Sequence, residues 1–120
     1  MTPFRQILQR IVESTPGAVG GAFAASDGEM VDNFTIWPAE EWAILTAHYG
    51  IVLGHIHAAF GTWHYGSPSL FIAQHEKVDV VVQAIDGGYY ALLALAEPRP
   101  LAHAIDAMAV ATVELRREMQ

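Results

Sequence analysis

The chain has 120 residues, 52% of them hydrophobic and 16% charged, with thirteen acidic against six basic side chains for a net charge of −7. It has no cysteine, which excludes disulfides, thiolate catalysis and cysteine-type zinc sites. No Lys or Arg lies between Arg10 and Lys77, so no cluster of cations is available to replace phosphate counterions, and nucleic acid is excluded as a partner.

The elements read as follows. Thr2 caps a first helix and Pro3 takes its first position. Phe4, Ile7, Leu8, Ile11 and Val12 form its buried stripe, and Thr15-Pro16-Gly17 stops it. Residues 18–25 read as a strand in which Ala18, Gly20, Ala22 and Ala24 make one face of small residues, so something bulky is expected against that face. Asp27-Gly28 predicts a type I′ hairpin turn into a second strand over 29–35.

Trp37-Pro38 introduces a long helix with Glu40 and Glu41 in its first turn, where carboxylates suit the helix dipole. From Trp42 to Phe60 it carries no Lys, Arg, Asp or Glu. A surface helix normally keeps a charged face; one without it must be covered on both sides. Gly61 ends the helix, and 62–68 is a loop. Strands follow over 69–75, 78–85 and 89–95, the middle one carrying Val80, Val81 and Val82, which suggest burial on both faces. Pro98-Arg99-Pro100 then starts a last helix with Leu101, Ile105, Met108, Thr112 and Leu115 inside. The order is α-β-β-α-β-β-β-α. It predicts an α/β (α+β) domain over 1–120: a five-stranded, mostly antiparallel sheet with the terminal helices on one face and the central helix on the other.

This order, with the opening IVESTPGAVGGAFAASDGEMV, resembles the Roadblock/dynein light chain family. The family's Val-Glu-x-x-Pro-Gly-Ala turn, small-residue strand and Asp-Gly hairpin fall at Val12, Glu13, Pro16, Gly17, Ala18, Asp27 and Gly28. An apolar middle helix, a Val-rich strand and YYALLALA continue the pattern. The resemblance implies a stand-alone prokaryotic member that forms dimers through the middle helix and the strand after it. It implies a small Ras-like GTPase as partner and no catalysis of its own. Some bacterial members stimulate GTP hydrolysis by such a partner and others serve as scaffolds. The loop GTWHYGSP and the histidines of the middle helix depart from the usual pattern.

Within the helix, Leu45, Tyr49, Val52, Ile56 and Phe60 form a bulky stripe, assigned to the domain's own sheet. Ala47, Gly50, Gly54 and Ala58 form a small-residue stripe, the candidate dimer seam. Leu70 and Ile72 on the following edge strand join it, since an exposed apolar edge invites pairing with its twin. Trp42, Trp63 and His55 are the candidate partner contacts, because exposed tryptophan often marks hot spots.

No metal site is expected: His55 and His57 are two apart on a helix and diverge by about 200°. No nucleophile elbow or phosphate-binding loop appears, so no enzyme and no cofactor is expected. An N-terminus without a signal-peptide core and a charge-free segment broken by His48, Gly50, Gly54, His55 and His57 point to the cytoplasm and away from a membrane. Two other readings stay open: a small-molecule sensor domain using Gln74, Gln83 or the histidines, and a purely architectural dimerisation module.

Overall fold

A computed structural model of the chain describes residues 2–120. Its elements are α1 (Pro3–Ser14), β1 (Ala18–Ala25), β2 (Met30–Thr35), α2 (Ala39–Phe60), β3 (Leu70–Gln74), β4 (Asp79–Ile85), β5 (Tyr89–Leu95) and α3 (Leu101–Met119). The strands form one sheet in the order β2-β1-β5-β4-β3, and all four pairings are antiparallel. The expected α+β architecture is present, with β2 and β3 as its two open edges.

Each face of the sheet carries its own core. On one, Ile7, Leu8, Ile11 and Val12 of α1 and Met108 and Leu115 of α3 pack on Phe23, Val81, Leu93 and Leu95. On the other, Trp42, Tyr49 and Leu53 of α2 pack on Ala22, Ala24, Val80, Val82, Tyr90 and Leu92. The three valines of β4 therefore serve both layers, as their run suggested. Thr2 caps α1 by accepting the Arg5 N–H at 3.1 Å.

The small face of β1 has the expected bulky neighbour, which is Trp42. A Cβ placed on Gly20 would lie 2.8 Å from the indole Cη2 and 2.8 Å from Thr35 Oγ1. The sheet thus admits its largest buried ring only because the strand beneath has no side chain there.

Three expectations are corrected. The Asp27-Gly28 hairpin is not type I′, which needs two successive residues with positive φ; only Gly28 has it, at 89°. The loop is instead one residue longer, with Gly28 N–H donating to Ala25 O and Ala25 N–H to Glu29 O, each at 2.9 Å. The inner stripe of α3 is turned toward Ala104 and Ala111, which are buried with Met108, Thr112 and Leu115, while Leu101 and Ile105 sit half-exposed. On α2 the bulky stripe is buried only in part: Tyr49 is buried with Trp42, Thr46, Gly50 and Leu53, while Leu45, Ile56 and Phe60 are half-buried and Val52 is exposed.

Candidate functional site

α2 leaves an apolar surface open. Outward from the sheet it presents Ile44 (54% exposed) and Ile51 (59%), with Val52 at 40% beside them. Ala43, His48, Gly54, His55, Ala58 and Ala59 fill the space between these and the helix end, all exposed. It is the one helix among the described residues long and apolar enough, by length and composition, to cross a membrane, and 22% of its apolar window is buried. Isolated apolar residues on a surface are ordinary; a contiguous apolar helix face signals an interaction site.

The two flanks of α2 differ. Tyr49 leans toward β3, with its ring 6.2 Å from Phe71 and edge-on to His75 at 5.9 Å, and its hydroxyl hydrogen-bonds His75 Nε2. Gly50 faces the other way. A Cβ there would meet Tyr90 Oη at 2.8 Å and Gly28 Cα at 3.5 Å, and a Cβ placed on Gly28 would lie 4.0 Å from Ala47. Ala47 and Gly50 therefore look toward the β1–β2 turn, away from the β3 edge. Gly50 is consumed by close packing within the protomer and is removed from the proposed seam, which leaves Ala47 half-buried over that turn. Gly54 has nothing within 4 Å of a built Cβ, and Ala58 is exposed. The flank that faces β3 carries Leu45, Val52 and Ile56 instead, by the helical step of about 100° per residue.

β3 pairs only with β4, through Leu70↔Gln83 to Gln74↔Asp79, so its other backbone edge is open. Leu70 and Ile72 point to the α1/α3 side and pack on that core, half-buried. Phe71 and Ala73 point to the α2 side, where the protomer covers them only in part. Both the open edge and the half-covered side chains lie next to the Leu45–Val52–Ile56 flank.

The partner candidates separate sharply. Trp42 is 0% exposed, packed against Gly20 and edge-on to Trp37 at 6.0 Å, so it is withdrawn as a partner anchor. Trp63 is 58% exposed on the loop after α2, held edge-on to Phe60 at 5.3 Å, and His55 is exposed on the helix. Ile44 and Ile51 were not singled out by the sequence pattern. The signal for them was the uncharged segment itself; size and spacing alone did not say which side would stay outside.

Charge is arranged around this surface rather than on it. Arg5, Arg10, Arg116 and Arg117 lie on α1 and α3, across the sheet from α2. Arg99 is half-buried and engaged: it donates to the carbonyls of His75 and Glu76, and pairs with Asp79 at 3.2 Å and Glu97 at 2.9 Å. No arginine is available on the α2 face. Burial raises the Tyr49 phenol above its usual pKa, and burial with the Asp27 carboxylate second pushes Tyr90 up to about 12. Neither phenol carries charge near neutral pH. No group of three or more His, Cys, Asp or Glu able to hold a metal occurs among the described residues. Three grooves of about 210, 180 and 350 Å³ lie against α1 and α3, and none of them is lined by Gln74, Gln83 or a histidine.

No protein-family model and no curated protein matches the sequence. Solved structures do match. The Roadblock/LC7 domain from Streptomyces avermitilis aligns with a TM-score of 0.85 at 12% identity, over 95% of this chain and 95% of that one. Myxococcus xanthus MglB gives 0.86 at 8% identity over 98% and 94%. An MglB described as having a tetrameric arrangement gives 0.82 at 16% identity over 94% and 85%. At these identities the likeness establishes the fold, and the chain has the Roadblock/LC7 fold that its opening motif suggested.

Proposed function

We propose that this protein is a non-catalytic homodimeric regulator or scaffold for a small Ras-like GTPase in the cytoplasm. The observation that carries the reading is the uncharged outer face of α2 beside the open edge of β3. Each is a liability on a solitary soluble protein: the first is a contiguous apolar surface, the second a row of unpaired backbone groups. A second copy placed across β3 answers both at once. It continues the sheet and covers Phe71, Ala73, Leu45, Val52 and Ile56. A two-fold contact of this kind closes on itself and leaves no free edge there. MglB, which has the same fold, is described in a multimeric arrangement.

In such a pair, Ile44, Ile51 and His55 of both copies remain on one outward platform, with Trp63 at its margin. That platform is the docking surface we assign to the GTPase. Any stimulation of hydrolysis from it acts by ordering the partner's own catalytic groups, because an arginine finger must stand beside the transferring phosphoryl group and the α2 face holds none. α2 is read as a layer of a soluble protein, not a membrane span, because Trp42, Thr46, Tyr49 and Leu53 are packed on the sheet.

The test is capture of a Ras-like GTPase from native lysate, followed by GTP hydrolysis with wild-type protein and with Ile51→Asp. The reading expects capture by the wild type, and loss of capture and of any rate change with the variant. A variant that still folds, dimerises and captures the GTPase unchanged would remove the platform assignment.

A further inference from the structure

On the sheet face away from α2, the core opens into an aromatic hollow of about 350 Å³ lined by Phe4, Phe23, Val31, Tyr89, Glu118 and Met119. Its floor is Phe23, with the Phe4 ring 5.0 Å and the Tyr89 ring 5.5 Å from it. Phe4 and Tyr89 are half-exposed, so ring surface remains open to an occupant.

The rim is acidic. Glu118, on the last turn of α3, makes no salt bridge among the described residues. Asp32, which pairs with Phe23 across the β1–β2 ladder, does not line the hollow; its carboxylate accepts from the Thr2 hydroxyl and the Asn33 N–H. Arg5 lies over the Phe34 ring at 5.7 Å and donates to Asn33 O at 3.3 Å, and Arg116 faces Asp86 at 3.4 Å. Arg10 and Arg117 share the adjoining groove with Glu118 but make no ion pair with it among the described residues.

A bare hydrocarbon hollow would accept any apolar molecule. One walled by aromatic rings with an unpaired carboxylate at its edge selects further, because the ring quadrupole attracts a cation and the carboxylate adds direct charge complementarity. The net charge of −7 also enriches cations near the surface. We propose that this hollow is a binding site for a small organic cation of the alkylammonium class, its apolar groups against Phe4 and Tyr89 and its charge beside Glu118. The site lies across the sheet from α2 and stands independently of the dimer and GTPase readings.

The test titrates the full chain with choline and, separately, with 3,3-dimethylbutan-1-ol, which has the same shape without the charge. Binding is read by NMR at the Met119 methyl and the Phe4, Phe23 and Tyr89 rings. The expected result is saturable choline shifts at these groups, with the neutral alcohol at least about threefold weaker, the factor that a cation–π contact on half-exposed rings supplies. Glu118→Gln, a surface change that leaves the core intact, is expected to weaken choline severalfold and leave the alcohol unchanged. Equal binding of the two molecules, absence of saturable choline shifts, or full choline affinity in the variant would each overturn the proposal.

Discussion

Gly50 and Gly54 lie one turn apart on α2, and the structure assigns them opposite responses to the same change. Glycine inside a helix costs about 1 kcal/mol relative to alanine, so either substitution begins with that gain. At Gly54 nothing lies within 4 Å of the new methyl, and the gain stands. Gly54→Ala should raise stability by about 1 kcal/mol, or about 4 °C in Tm for a chain of this length. At Gly50 the methyl would sit 2.8 Å from Tyr90 Oη, a hydroxyl held in place by its 2.8 Å hydrogen bond to Thr46 O. Overpacking a fixed neighbour costs about 1–3 kcal/mol, which meets or exceeds the helix gain. Gly50→Ala should therefore be destabilised by up to about 2 kcal/mol. Thermal unfolding followed by circular dichroism, at matched protein concentrations, reads both. A stabilised Gly50→Ala would refute the packing assignment. A destabilised Gly54→Ala would show that a second molecule presses on Gly54 and would restore the small-residue seam.

Tyr90→Phe should lose about 1 kcal/mol at neutral pH with its buried hydrogen bond. The wild type keeps the Tyr90 proton until about pH 12 while the unfolded chain releases it near the ordinary phenol value of 10.0. Wild-type stability should thus be intact below pH 10 and fall by about 2 kcal/mol as pH rises to 12, and denaturant titrations of Tyr90→Phe should show a shallower fall. Arg99→Ala strands Asp79, which is 1% exposed, and should cost about 3 kcal/mol in urea unfolding; a loss below 1 kcal/mol would mean that the cluster is solvated. Val52→Asp, on the flank facing β3, should dissociate the proposed dimer in sedimentation while leaving the circular dichroism spectrum unchanged, since Val52 is 40% exposed in the protomer.

The sheet and helices were legible because their signals are local. The bounds of β1 and β5 follow from their turn residues, and Thr2-Pro3 marks the start of α1 by its capping chemistry. The sided placement of α2 was not legible. A helix apolar all round has no amphipathic contrast, so bulk alone suggested Val52 as core and Gly50 as seam. What decides is long-range: the small face of β1 takes Trp42 at Gly20, and the Tyr90 hydroxyl takes the space beside Gly50. The same fact moved Trp42 from candidate anchor to core. The hairpin was misjudged because Asp-Gly fits both a two-residue loop and the three-residue loop observed, and only the backbone angle at Asp27 separates them. The aromatic hollow had no sequence signal, since its lining comes from five separate elements and the spacing between them carries no motif.

Sedimentation velocity of the purified chain asks whether a second copy covers the β3 edge and the adjoining flank of α2. The expected particle is twice 13.1 kDa, and Val52→Asp reduces it to one copy. A well-behaved particle of 13.1 kDa in the wild type, with the β3 amides exchanging freely, would contradict it.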